Sequence, residues 1–172
     1  MATKPSPQNA FMDLYRPVHE RFSRYCEAKA YGKMEAKDLM SESLLRAYEA
    51  FGKLKDQGAF LHFLFGIAHR VLLNHIRRQK FQGPFDEEAL LQLPTTERSP
   101  EGAAERYLLY KALQQLPDAQ REALILFEIS GFSIKEIEQI QHASKSAVKA
   151  RLARGRKALA KLLEDHLTHQ SL

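Results

Sequence analysis

The chain has 172 residues, with 26 Lys and Arg against 21 Asp and Glu, a formal charge of +5 and a pI near 9.3. That length allows one ordinary domain or two small ones, and 44% hydrophobic with 27% charged residues excludes a disordered chain. Its longest stretch free of Asp, Glu, Lys and Arg, 57–69, is too short to cross a bilayer, the first ten residues lack the apolar core of a secretory signal, and the single cysteine, Cys26, excludes an internal disulfide and fits a reducing cytoplasm.

In chain order, Phe11, Leu14, Tyr15, Val18, Phe22 and Cys26 recur at three- and four-residue steps and predict one amphipathic helix. Met40, Leu44, Ala47, Tyr48 and Phe51 repeat the pattern in a second, which Gly52 would end. A third begins near Phe60 and would bury Leu61, Leu64, Phe65, Ala68, Leu72 and Ile76. This helix has a second stripe, Phe63, Ile67, Arg70, Asn74 and Arg77, with Arg78 close by. On its own that stripe fits a helix packed on two sides with a solvated basic end. It also fits a nucleic-acid surface, where aromatics stack on bases and Arg neutralises phosphate.

Residues 82–103 carry five acidic side chains and one basic, between flanks in which basic residues are in excess, and hold three of the seven prolines. They read as a flexible acidic linker, which fully extended would reach roughly 70 Å, about two turns of duplex DNA. No alternating run of β-branched residues is present, so the fold class is all-α: two small helical domains, 1–81 and 104–172, on that tether.

In the second domain a Leu108–Leu116 stripe stops at Pro117, and Asp118 can cap a helix that ends at Gly131. Ser133 and Glu136 match a capping box, flanked by Phe132 and Ile137 as a hydrophobic staple. That short helix runs to about Gln141, and Ser144 can cap another whose inward residues would be Val148, Leu152 and Leu159. Two such helices around a tight turn, the second with seven Lys or Arg and no acid between Ile140 and Leu163, describe a helix-turn-helix facing an anion. Lys145, Ser146 and Lys149 lie where a reading helix meets base edges. Arg151, Arg154 and Arg156 lie further along, where phosphates are gripped. Gly155 interrupts this helix, and only close packing would account for it.

The residues quoted so far carry a family resemblance. Asp38-Leu39-Met40-Ser41-Glu42-Ser43-Leu44-Leu45-Arg46-Ala47-Tyr48, then Phe63-Leu64-Phe65-Gly66-Ile67-Ala68, then Ile76-Arg77-Arg78 resembles region 2 of bacterial extracytoplasmic-function (ECF) sigma factors. Leu116-Pro117-Asp118-Ala119-Gln120-Arg121-Glu122-Ala123, Ile134-Lys135-Glu136-Ile137 and Val148-Lys149-Ala150-Arg151-Leu152-Ala153-Arg154-Gly155-Arg156 resembles their region 4. The resemblance implies a dissociable subunit that brings core RNA polymerase to promoters for transcription initiation, with no catalysis of its own. It implies that Asp38, Glu42 and Arg46 dock on the polymerase β′ coiled coil. It also implies that Phe60, Phe63, Arg70, Asn74, Arg77 and Arg78 meet the minus-10 element, and that the second domain reads the minus-35 element from the β flap. An anti-sigma partner, often membrane-bound, is a further implication. This sequence departs from the family pattern at Phe63 (usually Trp), Arg70 and Asn74 (usually Asn and Asp), Ser146-Ala147 (usually Gly-Thr) and Ala150 (usually Ser), so base preference does not carry over.

Two other functions fit parts of the pattern. A sigma mimic that sequesters an anti-sigma factor needs no basic reading helix, and a stand-alone helix-turn-helix regulator needs a dimerisation surface. His62, His69 and His75 lack the i+4 spacing of a helical zinc pair, so no metal site is expected. With neither a Gly-rich phosphate loop nor a nucleophile–base–acid set, no enzyme, cofactor or small-molecule substrate is expected either.

Overall fold

A computed structural model of the chain describes residues 5–81 and 102–170. Most of the acidic segment read as a flexible linker, 82–101, lies outside the described residues. The described residues are helical, without strands.

The N-terminal half holds four helices: α1 (Pro7–Tyr15), α2 (His19–Ala30), α3 (Ala36–Ala50) and α4 (Phe60–Phe81). The single helix expected over Phe11 to Cys26 is two helices joined by a 3-10 turn, Arg16–Val18. Pro17 has no N–H to donate and forces the break. Gly52 lies in a 3-10 turn, Phe51–Lys53, and does not take the left-handed conformation of a helix-ending glycine. The helix at 60 forms as expected. It is long and apolar enough to cross a membrane by length and composition, but here it is the central helix of this half. Phe60, Leu64, Phe65, Ala68 and Leu72 are buried, and its end rings pack edge-on against Phe11, Phe22 and Tyr25.

The C-terminal half holds α5 (Ala103–Leu113), α6 (Asp118–Leu124, continuing as a π-helical turn over Ile125–Ile129), α7 (Ile134–Gln141) and α8 (Lys145–Gln170). Helix α5 already begins at Ala103, behind Gly102 in the left-handed region. Pro117, not Asp118, is the N-cap of α6, and the Asp118 carboxylate turns to the Arg121 guanidinium instead. Gly131 has φ +77, a left-handed conformation that residues with a side chain rarely adopt, and there the chain leaves the π turn.

The two halves pack directly on each other through α2 and α4 on one side and α6, its π turn and α7 on the other. One contiguous core runs through both.

Candidate nucleic-acid interface

Local chemistry builds the helix-turn-helix. The Glu136 N–H donates to Ser133 Oγ (3.2 Å) and the Ser133 N–H donates to Glu136 Oε2 (2.8 Å), a complete capping box. Phe132 and Ile137, both buried, staple the entry. Helix α7 ends at His142, which takes a left-handed conformation (φ 51) so that the Ala143 N–H can reach the Glu138 carbonyl. The Ala147 N–H then donates to Ser144 Oγ (3.2 Å), capping α8.

At about 100° per residue, Val148, Leu152 and Gly155 fall on one side of α8, and all three are buried. Gly155 is explained by this packing. A Cβ there would meet Leu124 Cδ1 at 3.0 Å and Cγ at 3.2 Å, so the glycine lets α8 lie close on α6. Ser146, Arg154, Lys157 and Lys161 fall on the opposite side, Lys149 lies at its edge, and Lys145 sits in the first turn beside the buried face; all six are exposed.

Three of the six expected reading or gripping residues of α8 are already engaged, Ser146 Oγ sharing a hydrogen bond with Ser144 Oγ (3.2 Å) and two arginines tied within the domain. Arg151 donates to Gln141 Oε1 (2.9 Å), while Gln141 Nε2 donates to the Ala119 carbonyl, so this arginine ties the reading helix to α7 and α6. Arg156 pairs with Glu128 Oε1 (2.6 Å) and lies over the Phe127 ring at 5.3 Å. Both flank the buried face, one on each side, where a side chain meets its own domain before it meets solvent.

On α4 the structure divides the expected minus-10 set. Phe63 and Asn74 are half-buried, and Arg70, Arg77 and Arg78 are exposed, four of the five along one edge of the helix. Phe60 is a correction: it is 3% exposed and packs edge-on against Phe11 and Phe51, so it is a core ring with no face for a base. The sequence offered two adjacent phenylalanines on one turn. Only the position of α1 decides which is inside.

On α3, Asp38 is exposed, and Arg46 Nη2 pairs with Glu42 Oε1 at 2.6 Å. Beside them lie Leu45, 59% exposed, and Tyr48, 43% exposed. Sequence reasoning missed these two because their types belong in a core. The surface sets exposed apolar side chains next to a charged edge, a composition that suits protein docking.

His62 and His69 have separate fates. His62 Nδ1 donates to the Ile140 carbonyl (3.0 Å), and its ring lies 5.2 Å from that of His142. His69 is half-buried, and its Nδ1 has no partner among the described residues. Burial lowers its pKa despite the nearby Glu122 carboxylate, with Lys29, Arg121 and Lys33 adding to the fall. No group of three or more His, Cys, Asp or Glu among the described residues could hold a metal.

Known proteins share both halves. Sigma-70 region 2 matches residues 10–82, and sigma-70 region 4 matches residues 106–159. The chain is 30% identical to the ECF RNA polymerase sigma factor BldN of Streptomyces coelicolor, over 91% of this chain and 61% of that one. It is 29% identical to the ECF RNA polymerase sigma factor SigW of Bacillus subtilis, over 94% of this chain and 93% of that one. Among solved structures, the sigma factor RpoE of Bartonella quintana, crystallised with the anti-sigma factor NepR, superposes with a TM-score of 0.67 at 24% identity. That match covers 90% of this chain and 97% of that one. CnrH, solved with the cytosolic domain of CnrY, superposes with a TM-score of 0.62 at 19% identity over 92% and 90%. At those identities the superpositions establish the fold.

Proposed function

The chain belongs to the sigma-70 family and, within it, to the ECF sigma factors, and from that premise we propose that it binds core RNA polymerase in the cytoplasm and directs it to specific promoters. Members of this family are initiation factors and not enzymes. The observation that carries the reading is the free face of α8: Ser146, Lys149, Arg154, Lys157 and Lys161 lie away from the buried Val148, Leu152 and Gly155, with Lys145 exposed at the helix start. A helix with one sign of charge on its open face fits the major groove of an anionic duplex.

In this reading Lys145, Ser146 and Lys149 contact minus-35 bases, and Arg154 grips phosphate. Arg151 and Arg156 take part through the rigidity they lend α8, reaching phosphate only by leaving Gln141 and Glu128. On α4, Phe63 stacks an unstacked minus-10 base while Arg70, Arg77 and Arg78 follow the backbone. Stacking on an aromatic contributes about 1–3 kcal/mol per base, against a cost of a few kcal/mol for extruding one. The patch of Asp38, Glu42, Leu45, Arg46 and Tyr48 docks on the β′ coiled coil, the C-terminal half sits on the β flap, and an anti-sigma factor controls access to both.

Purified chain, added to core polymerase and promoter DNA, is expected to produce transcripts from one start site. Failure to bind core polymerase would overturn the reading. Binding to core without DNA opening would favour a sigma mimic.

A further inference from the structure

Spacing along α4 gives His62, His69 and His75 no helical zinc pair, but spacing along one helix is silent about a partner from elsewhere in the fold. His62 has such a partner. Where the two halves meet, Phe65 of α4 packs edge-on to Phe132 at 5.2 Å. At the rim of this seam the His62 ring lies 5.2 Å, centre to centre, from that of His142. Both histidines are exposed, so solutes reach them directly.

Three features set this pair apart from two rings in casual contact. The first is a hydrogen bond: His62 Nδ1–H donates to the Ile140 carbonyl at 3.0 Å, which fixes the tautomer and leaves the Nε2 lone pair available. Metal-binding imidazoles are held in this manner, with the other ring nitrogen donating to a carbonyl that orients the ring. The second is the backbone of His142, which among the described residues is the one non-glycine with positive φ, at 51°. It is the C-terminal cap of α7, a place where glycine would serve the turn without a Cβ penalty. The third is separation and tilt. The two ring planes meet at 41°, which is neither the stacked nor the edge-on arrangement that aromatic rings favour. Two imidazoles on one tetrahedral zinc, each with its nitrogen about 2.0–2.1 Å from the metal, have ring centres about 5.2 Å apart. Adjacent ligands at a right angle, as around square-planar copper, would bring the centres to about 4.5 Å. The observed 5.2 Å is the tetrahedral separation.

We infer that His62 and His142 form a zinc-binding site, with His62 coordinating through Nε2 and water filling the positions that the protein leaves open. Imidazole nitrogen suits zinc, and two protein ligands make a reversible site, unlike a structural site closed by four. This agrees with the lack of a three-ligand group among the described residues. His62 comes from the first turn of α4 and His142 from the turn between α7 and α8. With one ligand from each half, bound zinc stabilises the packed chain according to its occupancy. The site is a property of the chain alone and does not rest on the promoter reading.

The full chain, free of any histidine tag, is to be titrated with zinc chloride at neutral pH and followed by the imidazole C–H signals in NMR. One zinc per chain should bind and move the signals of His62 and His142, leaving those of the other histidines in place. Zinc at about ten times its dissociation constant should raise the unfolding midpoint by about 3–6 °C, reversed by a chelator. His142→Asn keeps a residue that tolerates the left-handed turn, and His62→Phe keeps a ring at the seam. Each should weaken zinc binding tenfold or more and abolish the rise in midpoint. The midpoint of each variant in chelator is its own baseline, so a variant that is merely less stable still answers the question. Signals of His62 and His142 that do not move with zinc would overturn the site. So would zinc carried by other histidines, or binding undiminished in either variant.

Discussion

Helices α4 and α8 are both long and both basic, α4 toward its C-terminal end and α8 from its first turn to Lys161, yet they use their surfaces differently. Helix α8 is buried along one side only, so its exposed arc is wide and its cations from Lys145 to Lys161 share it. Helix α4 is enclosed on more of its circumference: the core of its own half holds Phe60, Leu64 and Val71, and α7 covers the side carrying His62. What remains for nucleic acid is a narrow edge from Phe63 to Arg77. The broader the burial, the fewer positions can be assigned to function from residue type alone. Reading a one-sided helix from sequence is easy; a two-sided one hides its partition.

The sharpest way to test that partition is to delete buried rings. Phe65→Ala on α4 removes a ring that serves both the core and the seam, and should cost about 3–5 kcal/mol in denaturant unfolding. Phe60→Ala should fall in the same class, with stability lost first. Phe63→Ala should leave the unfolding midpoint comparatively unchanged and instead cost about 1–3 kcal/mol in binding single-stranded minus-10 DNA. Equal stability losses from Phe60→Ala and Phe63→Ala would erase the distinction drawn between them.

On α8 the expected effects separate by face. Lys149→Ala should weaken binding by about 1–3 kcal/mol on the preferred minus-35 sequence and less on others. Arg154→Ala should weaken all sequences evenly and reduce the salt slope by about 1. Arg156→Ala, by contrast, should show mainly as lost stability, because its guanidinium already serves Glu128 and Phe127. A salt slope that falls with Arg156 and not with Arg154 would reverse this assignment. Ser133→Ala should cost about 1 kcal/mol of stability by opening the capping box.

The smallest effect concerns pH. His69 has its pKa lowered chiefly by burial, so the packed form binds its proton less well than the separated form. Its contribution to packing is therefore complete above the ordinary histidine value of about 6.5 and is lost as pH falls through the lowered one. Glu122, also held low, loses its contribution at still lower pH in the same direction. Acidification from pH 7 to 5 should thus loosen the seam, and His69→Gln should flatten that dependence in an interdomain distance measurement.

Much of the molecule was legible in its residues because the forces involved act over three or four positions. Ser133 and Glu136 bond within one turn, Ser144 caps α8, and the spacing of Val148 and Leu152 sets its inner face. The same local reading failed where Pro17 broke a periodic stripe and where Pro117 took the cap expected of Asp118. In each case a ring without an N–H outranked the pattern around it.

The sequence by itself determined the helices, the helix-turn-helix and the basic face of α8, since each follows from neighbours along the chain. Tertiary structure decided that Phe60 is core while Phe63 is not, that Gly155 yields space to Leu124, and that Arg156 is occupied. It also decided how the two halves, whose relative placement the sequence left open, are joined: by Arg21 with Glu136, 115 residues away, and by Lys29 with Glu122, 93 residues away. Partners that distant leave no periodicity in a sequence, because their proximity depends on how whole helices pack and on nothing either residue carries alone.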